Sequence, residues 1–407
     1  MRLLVVVDTY VPARISGALQ MRDLARELVA QGHEPTVIVP SADLRAAYAI
    51  ERVDGVEVLR VRTAPTKDVG LLRRGLAECM LPFALRRGLA KSPLAQVRWD
   101  GVIWYSPTIF LAAAVHAVKR RCSCRAYLIL RDLFPDWALD TGVMRKGLAY
   151  RFFKRVERYQ YSVADVIGVQ TAANLPRVAP DVVAGARIEV LDNWLSEPER
   201  AATAFDREAG PLAGRTVFAY TGNMGAAQGM DGLLDLATRM QSRRDVGFLF
   251  VGRGSDMARL ADTVDSRRLD NVLFLGEVDA AEIPSILAQC HVGLIALDPR
   301  HTTHNIPGKL LTYLRAGLPV LARINPGNDL EALIDTAGIG RVCVGDAWER
   351  RLVQFAEELA SDAALREAMG HRARALARDR FSTARAAAQV VRGLRDETVA
   401  QRRYGTS

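Results

Sequence analysis

The chain opens on an apolar run, RLLVVV, passes through SGALQMRDLARELVAQGH, and turns apolar again at EPTVIVP. Leu19, Leu24 and Leu28 form one apolar stripe in the middle stretch and Gly32 ends it, which predicts strand, amphipathic helix, strand. Further apolar runs at 56–61, 101–105, 125–130, 164–169 and 187–191 predict strands, with helical patterns between most of them. That alternation predicts a parallel sheet covered by helices on both faces. After a polar segment at 196–214 the rhythm restarts with RTVFAYTG, a helix from about Gly229, and strands at GFLFVG, NVLFLG, HVGLIAL, LPVLA and GIGRVCV. The expected fold class is therefore α/β, with two successive Rossmann-like domains over residues 1–192 and 193–381. The tail from Trp348 reads as helical, and a final helix within 382–407 is expected to return to the first domain.

At 407 residues, 49% apolar and 25% charged, the composition is that of a globular chain. Five cysteines are an odd number, and Cys122-Ser-Cys124 lacks a second pair, which argues against a zinc site and for a reducing compartment. The apolar run after Arg2 meets Asp8, so no signal peptide is expected, and no run approaches the ~20 residues of a membrane span. Residues 1–192 hold 28 basic against 19 acidic side chains, whereas the remainder holds 27 of each. The excess positive charge of the first half suits anionic lipid, nucleic acid or phosphorylated small molecules.

In doubly wound sheets, ligands bind beyond the carboxyl ends of strands, so the segments that follow strands carry the chemistry. They are Ser16-Gly17 in the first domain, then TGNMGAAQG, VGRGS and NIPGKLLTYLRAGLPVLA in the second. Glycines at such turns let backbone N–H groups approach phosphate, although tight turns need glycine in any case. The last stretch puts Pro307-Gly308-Lys309 where a helix begins and Gly317 where it ends. Such a start leaves the N–H groups of Gly308, Lys309 and Leu310 free, and Lys309 adds a full charge. It is either an ordinary helix start or a phosphate seat. A dinucleotide fingerprint and a P-loop are both missing, and no Asp-x-Asp pair offers a metal seat.

These segments, with YTGNMG, VGRGSDMARL, NVLFLGEV and PGKLLTYLRAGLPVLA, resemble glycosyltransferase family 4. The resemblance implies the GT-B architecture of two facing Rossmann-like domains, with donor binding in the second. ILRDLFPDWALDTGVM and NIPGKLLTYLRAGLPVLARINPGNDL resemble bacterial surface-polysaccharide transferases that use UDP-N-acetyl-L-fucosamine. Carried onto this chain, it places Ser16, Gly17, Gly222, Asn223, Gly225, Gln228, Arg253, Glu277, Asn305, Pro307, Gly308, Lys309, Leu310 and Thr312 about the UDP-sugar. Asp132, Arg131 and Lys309 become the catalytic candidates, and no metal or other cofactor is required. The chain also departs from the family. His304 and Thr312 stand where the family has two glutamates, Asn223 and Gln228 where it has an arginine and a lysine, and Arg131-Asp132 where it has His-Asp.

The expected activity is retaining transfer of an amino sugar from UDP to a lipid-linked or lipopolysaccharide (O-antigen) acceptor, the leaving diphosphate being stabilised without a metal. Asp132 either positions the acceptor or acts as base, or else caps the turn DLFPD. A non-catalytic nucleotide-binding partner subunit and a UDP-sugar epimerase are the alternatives. Nucleic acid is not an expected partner. The stretch RKGLAYRFFKRVERYQY sets Leu148, Phe152, Val156 and Tyr159 on one helical face, with Arg145, Lys146, Arg151, Lys154, Arg155 and Arg158 largely elsewhere. Either that apolar face packs on the sheet or the helix meets an anionic membrane, which gives a cytoplasmic protein peripheral to the inner face of the bacterial inner membrane. Replacing Lys309 is expected to cost turnover and leave the melting temperature nearly unchanged.

Overall fold

The computed structural model describes the chain except for residues 14, 67–68, 141, 183–184, 197–200, 226–227, 299–305, 346 and 396–407. The chain divides into two compact units, Met1–Trp194 with the segment from Thr383, and Leu195–Ser382.

Unit 1 holds strands β1 (Arg2–Val6), β2 (Glu34–Ser41), β3 (Tyr48–Val53), β4 (Val56–Arg62), β5 (Gly101–Ser106), β6 (Arg125–Leu130), β7 (Val166–Val169) and β8 (Arg187–Val190). Their order across the sheet is β3-β4-β2-β1-β5-β6-β7-β8. The order reverses between β1 and β5, where such sheets bind ligands at their carboxyl ends. Helices α1 (Ser16–Ala30), α2 (Leu71–Lys91), α3 (Ala112–Cys122), α4 (Asp136–Asp140), α5 (Leu148–Val163) and α6 (Leu175–Val178) connect them. Leu3, Val5 and Val7 enter one apolar cluster and Leu4 and Val6 the other, so successive β1 side chains fill a core on each face.

One expectation fails in this sheet. β3 is antiparallel to β4, joined by a hairpin at Asp54-Gly55, both at positive φ (50° and 81°). Asp-Gly between two apolar runs is the chemistry of such a two-residue turn.

Unit 2 holds β9 (Thr216–Thr221), β10 (Val246–Val251), β11 (Val272–Leu275), β12 (Val292–Ala296), β13 (Val320–Arg323) and β14 (Gly340–Cys343), in the order β11-β10-β9-β12-β13-β14 and parallel throughout. Its helices are α7 (Asp231–Arg239), α8 (Met257–Arg267), α9 (Ile283–Leu287), α10 (Gly308–Ala316), α11 (Asp329–Ala337), α12 (Trp348–Ser361) and α13 (Ala363–Arg380). Here the order reverses between β9 and β12. Apolar clusters lie on both faces of this sheet as well. The final helix α14 (Thr383–Arg395) belongs to unit 1 and packs on α1, with Gln389 donating to the Val190 carbonyl (2.8 Å).

Candidate functional site

α10 follows β12 at the switch point of unit 2. Pro307 is its N-cap in extended conformation and Gly317 its C-cap at φ 74°, because glycine tolerates the left-handed turn that closes the helix. Two side chains moor α10 to the end of β9. The Tyr313 hydroxyl accepts from the Thr221 N–H (2.9 Å). Lys309 Nζ donates to Tyr220 Oη (2.5 Å) and lies 3.7 Å from the centroid of the Tyr220 ring. The lysine head also borders the Gly222 turn, since a Cβ built on Gly222 would lie 3.8 Å from Lys309 Cε. Burial lowers the Lys309 amine from 10.5 to about 7, with no charged group contributing.

This corrects the expected full charge: with no carboxylate beside it among the described residues, the desolvated amine is about half protonated at neutral pH. The expected trio of free N–H groups is corrected too. Leu310 N–H donates to the Pro307 carbonyl (3.0 Å) and the Leu310 side chain is fully buried, which leaves the N–H groups of Gly308 and Lys309 at the tip. Gly308 is exposed with open space around it. Thr312 is half-buried one turn along. Asn305 and His304 lie outside the described residues.

The glycines after β10 make room for the loop after β9. A Cβ on Gly252 would lie 2.1 Å from the Gly222 carbonyl oxygen, and one on Gly254 2.0 Å from that of Met224. The two loops therefore pack backbone against backbone, joined by Met224 N–H to the Arg253 carbonyl (2.8 Å). Gln228 closes the first loop, its carbonyl accepting from Asn223 Nδ2 and from Gly225 N–H (both 3.1 Å). Arg253 and Glu277 form an exposed ion pair (3.2 Å), a contact of small net worth that solvent or an anion can exchange. Sequence reading missed a second cation at this edge. Arg323, at the end of β13, lies over the Trp348 ring (3.9 Å) and donates to the Gly229 carbonyl (3.4 Å). Burial lowers its pKa and Asp298 opposes the fall. An arginine ending an apolar strand was the available signal.

In unit 1 the candidates gather at the carboxyl ends of β5 and β6 and at the start of α1. Ser16 is exposed at the first position of α1, and Gly17 is packed against Tyr105, whose hydroxyl would lie 3.1 Å from an added Cβ. Arg131 does not fit the expected catalytic role. It is buried, donates to the carbonyls of Leu191 (2.6 Å) and Asp192 (3.3 Å), and lies over Trp194, so it fastens the 191–194 segment to β6. Asp132 remains open to water, although surrounding protein raises its carboxyl pKa by desolvation, the Asp8 carboxylate adds to this, and Arg131 opposes it. Asp8, which follows β1, was also missed.

α5 is inverted relative to an ordinary amphipathic helix. Glu157 and Gln160 are buried, whereas Leu148 (79%) and Phe152 (49%) are exposed and Val156 is half-buried. The apolar face therefore does not pack on the sheet. Lys154, expected on the basic exterior, turns inward to Asp136 (2.9 Å), Glu157 (2.6 Å) and Asp181 (2.7 Å). The α2 helix likewise exposes Leu76 (69%), Met80 and Phe83 (55%). Among the described residues no helix is long and apolar enough to cross a membrane, and no cluster of three or more His, Cys, Asp or Glu could hold a metal ion.

The model of the group 1 glycosyl transferases matches residues 215–362, and that of the glycosyl transferase 4-like domain matches residues 17–194. The chain is similar to WbjE of Pseudomonas aeruginosa, described as a probable glycosyltransferase, at 28% identity over 287 residues, 67% of this chain and 68% of that one. It is also similar to WcaI of Escherichia coli strain K12, assigned to colanic acid biosynthesis as a glycosyl transferase, at 24% identity over 369 residues, 84% and 88% of the two chains. Among solved structures, sucrose-phosphate synthase of Thermosynechococcus elongatus superposes with a TM-score of 0.73 at 13% identity, covering all of both chains. Anabaena HepE, solved in complex with UDP, gives 0.67 at 15% identity, covering 97% and 99%. At those identities the structural matches speak for the fold alone.

Proposed function

The chain is a glycosyltransferase of the family 4 type, and from that premise we propose that it transfers an amino sugar from UDP to a lipid-linked or lipopolysaccharide acceptor, with retention at the anomeric carbon. The observation that carries the donor half of this reading is the edge of unit 2 at the β9/β12 switch point. A lysine with no counter-carboxylate among the described residues, the two free N–H groups at the tip of α10 and the open Gly308 meet there at the end of β9. A diphosphate leaving group needs a preorganised positive environment at the place where its charge grows. Two dipolar N–H groups and one amine supply it, with Arg253 able to exchange Glu277 for phosphate. This chemistry asks for no metal. N-acetyl-L-fucosamine is the sugar we propose, on the resemblance of ILRDLFPDWALDTGVM and the α10 segment to transferases of that sugar.

Asp132 is the group proposed to meet the acceptor. It is open to water at a strand end, and its raised pKa suits a residue that holds or takes a hydroxyl proton. The acceptor side further suggests peripheral attachment to the inner membrane. Leu148 and Phe152 of α5 are exposed with Arg151 and Arg155 of the same helix, and Leu76, Met80 and Phe83 of α2 with Arg86 and Arg87, the pairing of apolar and basic groups that an anionic bilayer surface accepts.

UDP release, measured with several UDP-amino sugars and a lipid-diphosphate acceptor, tests the proposal. Acceptor-dependent release with UDP-N-acetyl-L-fucosamine is the expected result. Conversion without acceptor would point to an epimerase, and nucleotide binding with no turnover to a non-catalytic partner subunit.

A further inference from the structure

The hydroxyl that holds Lys309 is itself immobilised. Tyr220 is fully buried, its ring centroid 6.3 Å from that of Phe250, and its hydroxyl donates to the Asn223 carbonyl (2.7 Å). With that proton committed, the oxygen presents a lone pair to Lys309 Nζ. The titratable groups packed at this point are Tyr220 on β9 and Tyr313 on α10, and burial pushes both phenols upward, so both stay neutral. Among the described residues no carboxylate and no second cation acts on the amine. Lys309 is thus fixed, desolvated and without a counter-ion at the end of the strand where the donor is proposed to lie.

We propose that Tyr220 is a positioning residue that fixes the Lys309 amine at the carboxyl end of β9 and makes anion capture there proton-coupled. The amine takes one proton from solvent as the diphosphate arrives and returns it when the product nucleotide leaves. This rests on the reading of that edge as the donor side. No bond other than N–H forms or breaks, and the ammonium gains phosphate oxygens as the counter-ion that the described residues do not provide. The physical reason is that a desolvated amine is costly to charge alone and far less costly to charge beside an anion. The full charge is therefore present only when phosphate is there to meet it.

The test is calorimetric titration of the full chain with UDP and, separately, with inorganic pyrophosphate, each in two buffers of different ionisation heat, which counts protons. Proton uptake by the ligand itself is removed by subtracting the Lys309→Met variant. At pH 8 the unaltered chain should take up close to one proton more than Lys309→Met, and at pH 6, where the amine is already charged, the excess should vanish. Tyr220→Phe keeps the ring and loses the acceptor oxygen, so the amine returns to water and is protonated beforehand. Its excess uptake at pH 8 should disappear, and its UDP affinity should lose most of its fall between pH 6 and pH 8. Lys309→Arg, which does not titrate, should bind without uptake, and it keeps the test decisive should Tyr220→Phe fail to fold. Uptake that persists in Tyr220→Phe, or in Lys309→Arg, overturns the proposal. Pyrophosphate binding with excess uptake, but no UDP binding, would remove the donor reading and leave the seat. UDP binding with no excess would do the reverse.

Discussion

Lys309→Met separates what this lysine does for the reaction from what it costs the fold. A fall of the amine from 10.5 to about 7 corresponds to roughly 5 kcal/mol between its charged and neutral forms. Met, of similar length and apolar, removes that cost. The sign follows from the lowered pKa. Above pH 10.5 the amine is neutral folded and unfolded, so there is no cost. As pH falls from 10.5 to about 7 the unfolded chain binds the proton first, and the cost grows. Below about 7 it is complete and constant. Melting curves of both full chains at pH 6, 8 and 10.5 should therefore show Lys309→Met melting about 10 °C or more above the parent at pH 6 and level with it at pH 10.5. Its turnover should fall by about 10² to 10³, the usual loss of one transition-state donor. A variant that melts lower than the parent at pH 6 would show that the lysine stabilises the fold, and the desolvation argument would fail. The expectation from sequence, an unchanged melting temperature, is replaced by this one.

Lys154→Met should destabilise the chain by about 3–5 kcal/mol at neutral pH by stranding Asp136, Glu157 and Asp181, and urea titrations should show the loss shrinking as acid protonates them. Asp substitutions at Leu148 and Phe152 should weaken co-sedimentation with anionic liposomes, and binding of the parent should fall with salt at about 1 kcal/mol per basic contact; indifference to anionic lipid would refute the membrane reading. Thr312→Glu restores a glutamate that the resemblance to family 4 implies would hold the donor's ribose, and should lower KM for the donor about tenfold, one charged hydrogen bond of roughly 1.5 kcal/mol; an unchanged KM means the ribose is held elsewhere. Turnover should survive EDTA, and complete loss restored by magnesium or manganese would show a metal requirement.

The alternation of apolar runs with helical stripes was sufficient to determine the two α/β units, because strand and helix periodicities are local properties of the chain. β6 and the Pro307–Gly317 limits of α10 follow directly from that pattern. The antiparallel β3 was legible as well, since Asp54-Gly55 between two runs is a hairpin signal that a search for parallel strands passes over. The state of the site residues was not legible. That Lys309 is desolvated depends on Tyr220 from another strand, and that Arg131 is a fastening depends on carbonyls some sixty positions on. The glycines after β10 read as phosphate turns in sequence, yet the missing side chains of Gly252 and Gly254 make room for the backbone at Gly222 and Met224. α5 has the pattern of a helix with an apolar inner face, but three carboxylates that draw Lys154 inward turn Leu148 and Phe152 outward. Periodicity records which side chains share a face, whereas charge state, burial and partner are set by what the fold brings across from elsewhere in the chain.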